Sequence, residues 1–217
     1  MPSDLQVDNI KDGSATKTLA TLSSSAVTLH SDVTVPASVG GTMVFLEKFT
    51  ASNTTSKIFN LDSYTTYNTY LFGINTLKPV DDNVDLRMCV GTSSSDADMF
   101  DSAGNNRTAV GWYYYNGSIH GYDASDASQD SIIRSHGTGS NTGFGVSATI
   151  HLYNPTNTSI NTHAKAHIIA YQKDEYTQIK NVGGYRLGAT DDAFVKFFFS
   201  ANNIDSGTIT LYGIKDA

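Results

Sequence analysis

The chain has 217 residues, 39% of them hydrophobic, and a formal net charge of −7 at pH 7. This length and apolar content suffice for one large domain, and the acidic balance argues against a protein that binds nucleic acid or inserts into an anionic membrane. Glu occurs only at Glu47 and Glu175, whereas Ser, Thr, Asn and Gly are abundant. Few helix formers beside many turn formers and β-branched residues predict an all-β fold of short strands.

Residues 1–40 differ from the rest because they contain no aromatic residue and only isolated apolar ones. Such a segment cannot bury enough surface to build its own core, so it is either a disordered tail or an extended arm docked on a partner chain. We expect an N-terminal anchoring and oligomerisation arm over residues 1–40 and a β-sandwich domain over residues 41–217. The apolar residues expected to attach the arm are Leu5, Val7, Ile10, Leu19 and Leu22.

From residue 42 onward, apolar and aromatic runs recur at short intervals, separated by turn-forming residues. Such spacing predicts an antiparallel two-sheet β-sandwich of the jelly-roll type. Asn116-Gly117 is a hairpin signal, Ser206-Gly207 is read as a turn, and residues 120–142 are read as a loop. The predicted strands cover residues 43–49, 58–61, 70–74, 86–90, 110–115, 146–153, 163–171, 185–187, 194–199 and 209–214.

Cys89 lies in an apolar run and, as the single cysteine, cannot form an intrachain disulfide. We expect it to be buried, in a protein that folds in a reducing cytoplasm. The first residues lack the basic and apolar regions of a signal peptide, and no stretch approaches the ~18 apolar residues of a membrane span. We therefore expect a chain that is made without a signal peptide and is not inserted into a membrane.

The aromatic run from Trp112 through Tyr113 and Tyr114 to Tyr115 is the candidate ligand-binding segment. Alternation along a strand would bury one pair of these side chains and expose the other. Exposed aromatic rings stack on sugar rings, and a neighbouring Asp or Asn can fix the hydroxyl groups. The alternative, which is the commoner use of such residues, is that they fill the core and a subunit interface.

Two acidic segments are candidate calcium sites, because closely spaced carboxylates supply the oxygen ligands that calcium prefers. Neither matches the EF-hand pattern, and ordinary solvated loops are the alternative, so we expect no cofactor. The first segment contains Asp96, Asp98 and Asp101, and the second contains Asp123, Asp126 and Asp130.

His163 and His167 are spaced four apart, which on a helix could form a metal site. We read the segment as a strand, where His163, Lys165 and His167 share the face opposite a row of apolar residues, and a solvated or subunit-facing strand is the favoured interpretation. Position 164 is Ala, so the HExxH zinc motif is absent. Nucleophile-elbow, P-loop and dinucleotide-binding patterns are also absent from the sequence, and we expect no enzyme.

Several segments carry a resemblance to a known group of proteins, namely residues 46–52, 61–64, 70–79, 151–157 and 197–214. They resemble, in the same order, virion surface proteins of tailed bacteriophages, the tail-fibre-like and structural proteins of marine phages in particular. Residues 5–13 also resemble the start of many phage fibre proteins. The resemblance implies a β-sandwich displayed outside the particle, commonly as a homotrimer, with an N-terminal segment that attaches it. It carries no catalytic residue.

The expected function is therefore a tail-fibre-type or receptor-binding component on the exterior of a virion. The alternative is a capsid decoration, cement or head-fibre protein attached through residues 1–40. A glycan-degrading enzyme is the minor alternative, and it would require a cleft with paired carboxylates. The expected partners are further copies of the chain, other virion proteins and a host-surface glycan or protein receptor, but neither nucleic acid nor a membrane.

Overall fold

The structure is a computed structural model that describes residues 9–11, 18–22, 27–29, 43–95, 106–115, 122–129, 131–135, 137–172 and 177–215. Side chains are described for residues 43–95, 131–135, 137–172 and 177–215. The chain divides into two compact units, Met1–Gly41 and Thr42–Ala217.

The first unit contains three short strands in one antiparallel sheet of order β1-β2-β3. Ile10 is in register with Ala20, and Leu22 with Val27. Leu19 also lies on β2, whereas Leu5 and Val7 lie outside the described residues, so the attachment role of these residues stays a prediction. The strands are β1 Asn9–Lys11, β2 Thr18–Leu22 and β3 Val27–Leu29.

The regular secondary structure described for the second unit is almost all antiparallel strand, which confirms the all-β prediction. The one helical element among its described residues is a short 3-10 helix, Leu61–Tyr64, whose first turn is capped by the Asn60 side chain accepting from the Asp62 amide. No helix among the described residues has the length and apolar character needed to cross a membrane. The strands are β4 Met43–Thr50, β5 Ser56–Asn60, β6 Thr69–Pro79, β7 Leu86–Gly91, β8 Asn106–Tyr115, β9 Tyr122–Gln129, β10 Ile133–Arg134, β11 Val146–Tyr153, β12 His163–Tyr171, β13 Thr177–Arg186, β14 Phe194–Phe199 and β15 Ile204–Ile214.

These strands form two sheets with a shared core. The larger sheet has the order β4-β15-β6-β11-β12-β13-β8-β9, and the smaller has the order β10-β7-β14-β5. From β4 to β7 successive strands alternate between the sheets, and β14 and β15 do so again at the end of the chain. The two antiparallel sheets agree with the predicted β-sandwich, and its jelly-roll topology stays a prediction. The hairpin β12–β13 and the pair β8–β9 then extend the larger sheet beyond β11.

Aromatic rings from both sheets meet in the core. Phe72 of β6 makes edge-to-face contacts with Phe59 of β5 and Phe197 of β14, at centroid distances of 5.4 and 5.1 Å. All three side chains are fully buried, and such pairs contribute beyond the area that they bury. Cys89 is also fully buried, as predicted.

Residues 120–142 were predicted to be a loop, and this prediction is wrong. The segment contains β9 and β10, and β9 pairs with β8 although its sequence YDASDASQ has no apolar alternation. Asp123 and Asp126 therefore lie on a strand, while Asp130 lies outside the described residues. The hairpin signal at Asn116-Gly117 lies outside the described residues and stays a prediction.

The turn predicted at Ser206-Gly207 is also wrong, because both residues lie inside β15. The register with β6 shifts on either side of Ser206, as in a β-bulge. Gly207 has φ +110°, and a Cβ there would come within 2.4 Å of the Thr76 carbonyl oxygen. Glycine is needed at this bulge for both the backbone conformation and the close approach of the two strands.

Candidate ligand-binding face

A shallow depression opens on the outward face of the larger sheet, where β11, β12 and β13 lie side by side. Its volume is about 290 Å³. We call it the outer-face depression. Its lining side chains are Thr149, His151, Tyr153, Lys165, His167 and Asn181.

The strand pattern explains why polar side chains gather there. Along β12 exposed and buried residues alternate without a break, as predicted, with Ala164 and Ala166 buried and His163, Lys165 and His167 exposed. β11 alternates in the same way, so its buried residues face the core and those between them face outward. Both strands therefore turn their polar set toward the same side of the sheet.

Register then brings these outward residues into rows across the three strands. One row contains Tyr153, His163 and Tyr185, and the next contains His151, Lys165 and Gly183. A third row contains Thr149, His167 and Asn181. Residues in register on neighbouring strands lie about 5 Å apart, so the side chains of each row are neighbours. We call the first row, with Tyr153, His163 and Tyr185, the aromatic shelf; the other two rows carry the basic and amide side chains.

Three contacts orient the side chains of these rows. The Nδ1 of His167 lies 3.1 Å from the Oδ1 of Asn181, and because that oxygen can only accept, Nδ1 carries the hydrogen. Nε2 of His167 is the ring nitrogen that this contact leaves for a ligand. The rings of His151 and Tyr153 stack with centroids 6.1 Å apart and an angle of 11° between their planes. The shelf residues His163 and Tyr185 also contact each other, at 5.9 Å.

The charge of this face is opposite to that of the whole chain. The sequences of β11, β12 and β13 contain no Asp or Glu, while the chain carries a net charge of −7. Lys165 and the imidazoles of His151 and His167 line the depression together. A cationic group without a neighbouring carboxylate keeps its charge available to a ligand.

Two glycines widen the outward face at this place. Gly73 is in register with Thr149, and Gly183 with Lys165. A Cβ built on either glycine would meet no atom closer than 3.9 Å. Both positions therefore have room for a side chain, and glycine leaves that room empty. The space beside Lys165 therefore follows from the sequence rather than from a gap in packing.

An apolar patch adjoins the depression on the same face. Ile169 of β12 is in register with Ile179 of β13, and each is 41% exposed. Tyr171, also 41% exposed, stacks on Phe144 with ring centroids 5.4 Å apart. The outward face thus changes along the strands from aromatic to basic to apolar.

The aromatic run predicted to bind ligand lies on β8, the strand next to β13. Trp112 is in register with Lys180, Tyr113 with Ile179, Tyr114 with Gln178 and Tyr115 with Thr177. The side chains of β8 are outside the described part of the structure, so their binding role stays a prediction. Sequence reasoning did not select the depression residues of β11 and β13. For Thr149, His151 and Tyr153 the apolar alternation of β11 was a usable signal, whereas β13 offered none for Asn181.

Metal binding finds no support in the described part of the chain. There, no group of three or more His, Cys, Asp or Glu side chains is placed to hold an ion. Asp96, Asp98 and Asp101 lie outside the described residues, so that candidate site stays a prediction.

Asp85 organises an ionic network inside the sandwich. Its carboxylate accepts hydrogen bonds from Nε of Arg134 at 2.8 Å and from the Gly137 amide at 2.9 Å, and Arg87 lies 3.8 Å away. Lys180 is fully buried on β13, and burial lowers its pKa to about 7. The positive charge of Arg134 lowers this pKa further, whereas the negative charge of Asp85 opposes the shift. A buried network of this kind fixes strands and loops.

Asp192 is the second buried carboxylate. It accepts hydrogen bonds from Thr162 at 2.6 Å, from Thr190 at 3.0 Å and from Arg186. Burial raises the pKa of its carboxyl group, and the hydrogen bonds and the Arg186 charge oppose that rise. Asp192 therefore joins the segments before β12 and β14 to the end of β13.

Comparison of the chain with protein-family models, with curated proteins and with solved structures gives no match.

Proposed function

We propose that the chain is a structural module on the exterior of a tailed-bacteriophage particle, a tail-fibre-type component that binds a host receptor. The observation that carries this proposal is the outer-face depression. It combines hydrogen-bonding groups, a lysine and aromatic rings on the outward face of the larger sheet, and these are the groups that bind and orient a polar ligand.

The segments that resemble phage virion proteins support the assignment to a particle. Residues 70–79 form most of β6, residues 151–157 begin at the end of β11, and residues 197–214 include β15. β11, β6 and β15 are consecutive neighbours in the larger sheet. Two depression residues, His151 and Tyr153, belong to one of these segments.

The function that we propose is binding and not catalysis. Asp85 and Asp192 are the buried carboxylates of the described residues, and each is held by an arginine. Neither lines the outer-face depression, and each accepts hydrogen bonds from other groups of the domain. Glycan hydrolysis needs two carboxylates flanking one cleft, and β11, β12 and β13 carry none.

Capsid decoration is the second candidate, and one observation favours it. β4 is an edge strand of the larger sheet, and its residues Met43 and Phe45 are 50% and 59% exposed. An exposed apolar edge strand offers backbone groups and apolar surface for pairing with another protein. This edge could contact a capsid subunit or a second copy within the homotrimer that the resemblance implies.

The position and copy number of the chain on purified particles, measured by cryo-electron microscopy, would test both candidates. A few copies at the tail support the receptor-binding role, and many copies across the capsid lattice support decoration. Absence from the particle contradicts both. Deleting residues 1–35 should leave a folded domain that no longer joins the particle, and normal incorporation of that variant would contradict the attachment role of the arm.

A further inference from the structure

We infer that the outer-face depression binds an acidic glycan, in which a carboxylate or sulfate group contacts Lys165 and the adjoining sugar ring packs on Tyr153. This inference rests on the proposed function and specifies the chemical class of the receptor. The shared chemistry is an anionic group on a pyranose ring, whichever of the two anions supplies it.

The choice of an acidic ligand follows from the charges. A chain with a net charge of −7 repels anions in general, so a site that accepts one must exclude carboxylates locally. β11, β12 and β13 contain none, and neither does the neighbouring strand β6. Lys165 is exposed at the centre of this region, between His151 on one side and Gly183 on the other. A lysine in such surroundings is a point charge that attracts an anionic group.

The choice of a sugar follows from the residues around the lysine. The Asn181 amide group and the Thr149 hydroxyl group line the same depression, and both suit sugar hydroxyl groups. Tyr153 borders it, with its ring stacked on His151, and aromatic rings at the edge of a polar site pack against the C–H face of pyranoses. A depression of about 290 Å³ matches one or two sugar units better than a folded partner.

Two variants separate the parts of this site without disturbing the core. Lys165→Met removes the charge and keeps the apolar stem of an exposed residue. Gly183→Val fills the space beside Lys165, and the added Cβ meets only ordinary contacts, at 3.9 Å from the Ala164 carbonyl oxygen. The matched control is Lys48→Met, an exposed lysine of the same sheet. Lys48 lies on β4, four strands and therefore about 19 Å from Lys165.

The experiment measures binding of the full chain to alginate oligosaccharides, which carry carboxylates, to dextran sulfate and to uncharged dextran, by biolayer interferometry at physiological salt. Binding to at least one acidic probe, at least about tenfold tighter than to dextran, is expected. Lys165→Met and Gly183→Val should each weaken it about tenfold or more, while Lys48→Met should change it less than twofold. The preferred probe identifies the anion.

Several outcomes would overturn the inference. Equal losses for Lys165→Met and Lys48→Met would mean that the probes respond to charge in general. Equal affinity for dextran and the acidic probes would mean a neutral-sugar site, and no binding to either acidic probe would also reject the inference. If particles lacking the chain adsorb to host cells normally, the receptor role fails. If they do not, and particles with Lys165→Met adsorb normally, the receptor role stands and the acidic-glycan site fails.

Discussion

Replacement of Lys180 with Met should stabilise the domain at acidic and neutral pH. Lys180 is fully buried on β13, on the same face as Gln178 and Val182. Its pKa is lowered from 10.5 to about 7 because burial disfavours the charged amine. Asp85 retains Arg134 at 2.6 Å when the lysine is removed, so the substitution leaves that carboxylate paired.

The expected magnitude follows from proton linkage. Below pH 7 the amine is charged in both states, and the folded state bears the full cost of burying that charge. Between pH 7 and 10.5 the unfolded chain holds a proton that the folded state has released, so the free energy of unfolding rises with pH. The pKa difference sets an upper limit of about 5 kcal/mol on that rise. Met has a similar volume and no charge, so we expect a gain of about 1–4 kcal/mol at pH 6 that disappears toward pH 10.

Urea unfolding of both proteins at pH 6, 7, 8, 9 and 10 would measure this difference. Subtracting the free energy of unfolding of one protein from that of the other at each pH cancels the contribution of every group that titrates alike in both. The control is Lys165→Met, an exposed lysine on the neighbouring strand, whose loss should change the free energy of unfolding by less than about 0.5 kcal/mol. A variant that is less stable than the wild type at pH 6, or a difference that does not shrink as pH rises, would refute the reasoning.

Three further substitutions test the packing of the sandwich by urea or thermal unfolding. Phe72→Ala removes a ring that contacts two other buried rings and should cost about 3–5 kcal/mol; a loss below about 1 kcal/mol would mean that the three rings do not form the core. Gly207→Ala should cost clearly more than Gly188→Ala, because both residues have φ near +110° but only at Gly207 does the added methyl group meet backbone; equal costs would contradict the bulge geometry. Asp192→Ala should cost about 3–5 kcal/mol because Arg186 and two hydroxyl groups lose their acceptor, and Asp192→Asn should cost less; no loss in either would argue against the buried ion pair.

The parts of the fold that could be predicted are the strands in which buried apolar residues alternate with exposed polar ones along the sequence. β12 was predicted with its bounds and its two faces, since its buried apolar positions alternate with His163, Lys165 and His167 over most of its length. β13 was largely missed because two of its buried positions, Gln178 and Lys180, are polar. β9 was missed because its backbone pairs with β8 without an apolar face in its sequence. In both cases, pairing with the neighbouring strands determined the β structure, and the strand propensity of the segment's own residues did not.

For the candidate site, the sequence determined which residues face outward and the tertiary structure decided which of them are neighbours. His163, Lys165 and His167 were assigned to one face from alternation alone, because side chains in a strand point to opposite sides in turn. The partners of this row come from residues 149–153 on one side and from Asn181 on the other. Their contact depends on the register of β11, β12 and β13, which the hydrophobic face and the long-range pairing of the whole sheet specify together.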